Sequence, residues 1–70
     1  MASFRVVYRD GSVAKNKKVT ISVDGGGMAE GFTDSRGYVT IGTSGTYGKI
    51  FINGKTVHNG SLNIGEVRIN

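Results

Sequence analysis

Apolar and polar positions alternate along this chain in short stretches, and each stretch is closed by a cluster of Gly, Asn, Asp or Ser. Such alternation is typical of half-buried β-strands joined by tight turns. The stretches span residues 3–9, 19–23, 28–33, 38–41, 46–52, 55–58 and 62–69. No long span has helical periodicity. The pattern therefore predicts about seven short strands and no helix.

The alternation also predicts which side chains face the core, because successive side chains of a strand point to opposite faces. The side chains expected inside are Phe4, Val6, Tyr8, Val19, Ile21, Val23, Met28 and Phe32. In the first stretch, the face that carries Arg5, Val7 and Arg9 is expected to be largely solvated.

Turn chemistry predicts how the strands connect. Asn-Gly at 53–54 is the strongest hairpin signal, since both central residues of a type I′ turn need positive φ. The same pair at 59–60 is expected to turn the chain before the last strand. Asp-Ser-Arg-Gly at 34–37 has the residues of a type I turn and predicts a hairpin between the third and fourth strands. The apolar residues of stretch 46–52 share one face only if the alternation is interrupted, so we predict a β-bulge at Gly48.

At 70 residues the chain has the length of one small domain, which we take as residues 1–70. It contains no cysteine and one histidine, so neither disulfides nor a structural zinc is expected to hold the core together. Stability must come from packing or from assembly. The apolar stretches are far shorter than the roughly 20 residues that cross a bilayer, and the N-terminus lacks an apolar signal region. We therefore expect no membrane contact and a cytoplasmic location.

Four motifs follow one another in the order found in a known family of β-sandwich domains. They are Val-Val-Tyr-Arg-Asp-Gly at 6–11, the alternating aliphatic strand at 19–23, Thr-Asp-Ser-Arg-Gly-Tyr at 33–38 and Gly-Thr-Tyr at 45–47. In this order and spacing the chain resembles the transthyretin-like, or carboxypeptidase regulatory-like, β-sandwich family. The resemblance implies an all-β, small antiparallel β-sandwich of transthyretin-like or immunoglobulin-like type, and an accessory or interaction role. Strand count alone would leave a closed barrel as an alternative.

No group of residues in the sequence specifies a reaction. His58 is the only histidine, and without a second ligand nearby in the sequence it is interpreted as a partly exposed strand residue. The serines and aspartates mostly lie in turn contexts, where their side chains bind backbone groups. Gly-Gly-Gly at 25–27 lacks the Lys-Ser/Thr and the helix that follow a phosphate loop. We therefore expect no enzymatic activity, no cofactor and no metal site.

Nine basic and five acidic residues give a net charge of +4, which favours contact with anionic surfaces. The candidate partner-binding residues are Arg5, Arg9, Lys15, Lys17 and Lys18. Our first hypothesis is a non-enzymatic module for protein interaction or self-assembly, which uses its sheet edges to bind another protein or form a homo-oligomer. The alternative is single-stranded nucleic-acid binding, since basic residues alternate with Phe and Tyr on predicted strands. Against the alternative, so small a chain is expected to need most of its aromatic side chains inside.

Overall fold

The strands of this chain form two sheets that pack face to face as a small β-sandwich. The computed structural model describes residues 2–43 and 45–69, and these residues contain no helix. The strands are β1 Ala2–Tyr8, β2 Lys18–Val23, β3 Met28–Phe32, β4 Tyr38–Ile41, β5 Tyr47–Ile52, β6 Lys55–Ser61 and β7 Glu66–Ile69. The three-stranded sheet has the order β4-β1-β7, and the four-stranded sheet has the order β3-β2-β5-β6. All neighbours are antiparallel except β1 and β7, which are parallel. The predicted fold class, a small all-β sandwich of about seven short and mainly antiparallel strands, is confirmed.

The core lies between the two sheets and is built from the inward faces of the regularly alternating strands. Its largest fully buried side chains are Phe4, Val6, Val19, Ile21, Ile50 and Thr33. Val23 is also buried, and Tyr8 is half-buried against the core. The inward faces predicted for the first and second strands are therefore confirmed.

Val7 belongs to the face of β1 that the alternation predicts to be solvated, and this prediction is wrong because the side chain is buried. Strand β1 is the middle strand of its sheet, so its outer face has neighbours on both sides. Val7 lies opposite Val13 on one side, in an isolated β-bridge, and opposite Arg68 of β7 on the other. Alternation identifies the face of a side chain, but the neighbouring strands decide how much of that face is covered.

Strand β3 presents the face opposite to the one predicted. Met28 and Phe32, expected in the core, are both exposed, and the inward positions are held by Ala29 and Gly31. The reason is the close approach of the two sheets at this edge. A Cβ added at Gly31 would lie 3.0 Å from Cγ1 of Ile41 on β4, so only small residues fit on the inner face of β3.

The β5–β6 hairpin confirms the type I′ turn predicted at 53–54. Asn53 and Gly54 have φ values of +55° and +77°, as this turn requires. The second turn predicted at 59–60 is wrong, because both residues lie inside β6 and pair with Lys49 and Gly48 of β5. The chain instead leaves the four-stranded sheet through residues 62–65 and enters β7 at Glu66.

The turn predicted at 34–37 is present, but the hairpin predicted from it is wrong. The N–H of Gly37 donates to the carbonyl of Asp34 over 3.1 Å, which closes the turn, and Gly37 has a φ of +83°. The strands on either side belong to different sheets: β3 lies in the four-stranded sheet and β4 in the three-stranded sheet. A four-residue turn is therefore used here to cross between layers.

The β-bulge predicted at Gly48 is also misplaced. Strand β5 alternates regularly, with Tyr47 exposed and Gly48 buried on the inner face with Ile50 and Ile52. The irregularity lies opposite, in β6, where the partner shifts from His58 at Ile50 to Thr56 at Phe51. The prediction is wrong because it takes Tyr47 as a core residue.

Candidate functional site

Arg5 is the predicted partner-binding residue that the structure holds most firmly. It lies on the outer face of β1, opposite Tyr38 of β4, and its Cζ is 5.4 Å from the centroid of the Tyr38 ring. Its Nε–H donates to the backbone carbonyl of Arg36 over 3.1 Å. The guanidinium is thus oriented by a cation–π contact and a hydrogen bond on the outer face of the three-stranded sheet.

The other four predicted residues do not gather around Arg5. Arg9 is exposed in the turn after β1, and Lys15 is exposed in the connection between β1 and β2. Lys17 is half-buried there, and its backbone N–H donates to Oγ1 of Thr33 over 2.8 Å. Lys18 begins β2 and faces outward on the four-stranded sheet, on the opposite side of the sandwich from Arg5.

A group of large apolar side chains covers the outer face of the four-stranded sheet. We call the surface formed by Met28, Phe32, Tyr47 and Phe51 the aromatic face. Met28, Phe32 and Tyr47 are 69%, 65% and 59% exposed, and Phe51 is half-buried. Their shared orientation follows from the register, in which Phe32 lies opposite Lys18, and Phe51 lies opposite Thr20.

Part of the aromatic face, including Met28 and Phe51, lines a groove along β2. Strands β3 and β5 flank β2, so their outward side chains stand in two rows roughly 10 Å apart. Between them, β2 contributes Thr20 and Ser22, which are shorter than the side chains on both sides. A depression of about 450 Å³ lies here, and its lining residues are Lys18, Thr20, Met28, Phe51, Asn53 and Gly54. The width suits one extended segment of polypeptide or a single nucleic-acid strand.

The charges on this surface are mainly positive. Lys18 and Lys49 lie on the outer face, and Glu30 is the acidic residue among them. Lys18 Nζ is 3.2 Å from Glu30 Oε2, with both side chains more than half exposed, so this ion pair is well solvated and contributes little energy. Lys49 has no ion-pair partner among residues 2–43 and 45–69.

The sequence pattern does not predict the aromatic face, because the small size of the chain favours the core for most aromatic side chains. Of three Phe and three Tyr, only Phe4 is buried. One signal was present in β3, where Met28, Glu30 and Phe32 occupy alternate positions. A charged residue on the same face as two apolar residues indicates that this face meets solvent.

Three titratable side chains, His58, Asp10 and Asp34, have local hydrogen-bond partners. His58 is half-buried, and its Nε2–H donates to the backbone carbonyl of Ser61 over 2.7 Å. Hydrogen bonds from the Ser12 hydroxyl and N–H lower the pKa of Asp10. Those from the N–H groups of Arg36 and Tyr38 lower the pKa of Asp34. In the described ranges, no three His, Cys, Asp or Glu side chains are grouped as metal ligands.

Comparison with known proteins gives no relative for this fold. No family model, no curated protein and no solved structure matches the chain. The described part of the chain also has no helix long and apolar enough to cross a membrane.

Proposed function

We propose that this chain is a non-enzymatic protein-interaction module, and that its binding surface is the aromatic face. The observation that carries the proposal is the joint exposure of Met28, Phe32 and Tyr47 on one side of one sheet. Single exposed apolar residues are normal on a protein surface, whereas grouped ones mark interaction sites. Phe51 on β5 shares this outer face, and it lines one depression together with Met28.

The occupant that fits best is an extended segment of a partner protein with apolar and acidic side chains. The groove walls supply apolar contacts through Met28 and Phe51, which both line the depression. Lys18 lines the same depression, and Lys49 stands beside it on β5, so acidic side chains would find opposite charges. The net charge of +4 favours an acidic partner and disfavours face-to-face packing of two copies.

The resemblance to the transthyretin-like family forms part of this proposal. It implies an accessory role in which a β-sandwich binds another protein. Because one fold can carry many functions, the resemblance supports an interaction role only together with a binding surface, which the aromatic face would provide.

Selection of peptides tests the proposal before any partner has been identified. Random peptides of about 12 residues would be displayed and selected on the immobilised wild-type protein. The Met28→Thr/Phe32→Thr variant serves for counter-selection, since both replaced side chains are exposed and Thr is favourable in strands. Tyr38→Thr is the matched control, because Tyr38 is exposed on the other sheet.

The expected result is a set of peptides that combine apolar with acidic residues. Their affinity, measured by fluorescence anisotropy, should fall at least about tenfold in the double variant and stay unchanged in Tyr38→Thr. Peptides that bind the wild type and the double variant equally well, or the absence of any selected peptide, would overturn the proposal.

A second function, single-stranded nucleic-acid binding, is favoured by one observation. Phe32, Tyr47 and Phe51 are accessible on the same outer sheet face as Lys18 and Lys49, which is how single-strand binding sheets combine base stacking with phosphate contacts. Labelled oligo(dT) of about 12 nucleotides is the probe. Binding at low salt that falls steeply as salt rises, and is lost in Phe32→Thr, would support this function. Absence of binding at low salt would remove it.

A further inference from the structure

The outer edge of β7 is open to pairing. Strand β7 ends the three-stranded sheet and pairs on one side only, with β1. On that side, the N–H of Arg5 donates to the carbonyl of Gly65 over 3.0 Å. In a parallel pair, alternate residues direct their backbone groups to the partner, so Gly65, Val67 and Ile69 face β1. The N–H and C=O groups of Glu66 and Arg68 therefore point away from the sheet, towards the open edge.

Strand β7 is more regular than β6, the edge strand that lies beside it in the other sheet. Strand β6, which ends the other sheet on the same side of the sandwich, contains a register shift, and its Gly60 has a φ of +138°. Bulges and irregular backbone are common devices that prevent pairing at an edge. Strand β7 contains neither, and its protection consists of its length of four residues and of its two charged side chains, Glu66 and Arg68.

The sequence of this edge is complementary to itself. We infer that β7 pairs with β7 of a second copy in antiparallel orientation, with Val67 at the two-fold axis. In this register Glu66 of each copy lies opposite Arg68 of the other. These are the two residues whose backbone groups face the open edge, so each opposed pair exchanges two hydrogen bonds. The interface thus contains four backbone hydrogen bonds and two ion pairs.

Neighbouring registers are disfavoured by charge. A shift of two residues places either Glu66 opposite Glu66 or Arg68 opposite Arg68 of the other copy, and like charges directly opposed are destabilising. A shift of one residue would direct unmatched backbone groups at each other. Within one copy, Glu66 Oε2 and Arg68 Nη2 are 3.6 Å apart, and both side chains are about half exposed. This internal ion pair contributes little energy, so little stability is lost when each side chain pairs with the second copy.

A cleft beside the open edge of β7 also favours a second copy of the chain as the partner. It lies between the ends of β6 and β7, has a volume of about 280 Å³, and is lined by Ile52, Asn53, Lys55, Thr56, Val57, Arg68 and Ile69. Val57 is only half-buried there, although it packs against the core. A second β7 laid along the first would cover the mouth of this cleft. The dimer would hold one continuous six-stranded sheet and leave both aromatic faces exposed, so it is independent of the proposed function.

Charge reversal at the edge tests the pairing. Sedimentation velocity on the wild type, from about 10 µM to about 1 mM, is expected to show a reversible dimer. Glu66→Arg and Arg68→Glu should each weaken dimer formation about tenfold or more, because each places like charges opposite one another. The double variant Glu66→Arg/Arg68→Glu should restore it. Both side chains are about half exposed, and circular dichroism would verify that each variant stays folded.

Mixing the two single variants is the decisive measurement. The Glu66→Arg variant carries arginine at both edge positions, and the Arg68→Glu variant carries glutamate at both. An equimolar mixture should therefore form a heterodimer at concentrations where each variant alone stays mainly monomeric. A wild type that stays monomeric at about 1 mM, or a mixture that stays monomeric, would overturn the inference. A dimer that survives both single variants but is lost in Met28→Thr/Phe32→Thr would also overturn it, since the interface would then be the aromatic face.

Discussion

Gly48 of β5 lies directly against the backbone of Ser22 on β2, so that a Cβ at Gly48 would collide with the Ser22 carbonyl oxygen. The contact is with backbone, which has no rotamer to change. We expect Gly48→Ala to lower the free energy of unfolding by about 2–3 kcal/mol, measured by urea denaturation. Gly42→Ala is the matched control, because a Cβ there meets no atom within 4 Å, and its effect should stay within about 0.5 kcal/mol. Equal effects of the two substitutions would contradict the position of Gly48.

Phe4 and Phe32 are chemically identical and differ in burial. Phe4 is fully buried between the sheets, so Phe4→Ala is expected to lower stability by about 3–5 kcal/mol. That is as much as the whole stability of a domain of this size, and the variant should be largely unfolded by circular dichroism. Phe32→Ala should change stability by less than about 1 kcal/mol, since this side chain is exposed. If Phe32→Ala unfolds the protein as well, the orientation of β3 is wrong.

The turn at Asn53 and Gly54 imposes a backbone conformation that side chains disfavour. Gly54 has a φ of +77°, and a Cβ there would meet no atom within 4 Å, so a substitution acts through backbone conformation and not through steric contact. Gly54→Ala should destabilise the hairpin by about 1 kcal/mol. Gly27→Ala, also in open space but without a positive φ, is the control and should be close to neutral. Thermal denaturation of both variants would measure the difference.

Asp34 makes stability depend on pH. Its Oδ1 accepts hydrogen bonds from the N–H groups of Arg36 and Tyr38, which hold the pKa of this carboxyl in the folded protein below its ordinary value. A lowered pKa means that the ionised carboxylate contributes stability at neutral pH, and that this contribution is lost as the pH falls through the folded pKa. Asp34→Asn keeps an acceptor but has no charge.

Thermal denaturation at a series of pH values would show the effect of Asp34. The wild type should be more stable than Asp34→Asn at pH 7, and the difference should shrink below about pH 4, near the ordinary pKa of an aspartate. A difference that is independent of pH would show that the charge of Asp34 has no part in holding the turn. The pKa of Asp10 is also lowered, so Asp10 should make the wild type and Asp34→Asn alike lose stability as the pH falls.

The sequence predicts a binding role for five basic residues, but only Lys18 among them lies on the aromatic face. It grouped Arg5 and Lys18, which lie on opposite outer faces of the sandwich. Residues close along the chain are brought to different sides whenever the chain crosses between layers. The aromatic face joins residues from β3 and β5, which have no sequence proximity and become neighbours only through β2.

The sequence by itself determined the local features of this protein. Alternation in β1 and β2 identified Phe4, Val6, Val19 and Ile21 as core residues, and the pair at 53–54 identified a type I′ hairpin. These features depend on short-range geometry: a strand has a period of two residues, and positive φ selects Asn and Gly. Both are set by residues a few positions apart.

Only the tertiary structure decided which face of a strand turns inward and which strands become neighbours. In β3 the alternation permits either face to be buried. The close approach of Ile41 to Gly31 leaves room only for the face with the small residues on the inner side. The turn at 34–37 is compatible with a hairpin and also with a crossing between the two sheets. Strand β4 pairs with β1, and β1 also pairs with β7. This pairing places β4 in the three-stranded sheet. The physical reason is that a period of two residues defines two faces of a strand but does not decide which of them is buried. Packing against residues distant in the chain decides this.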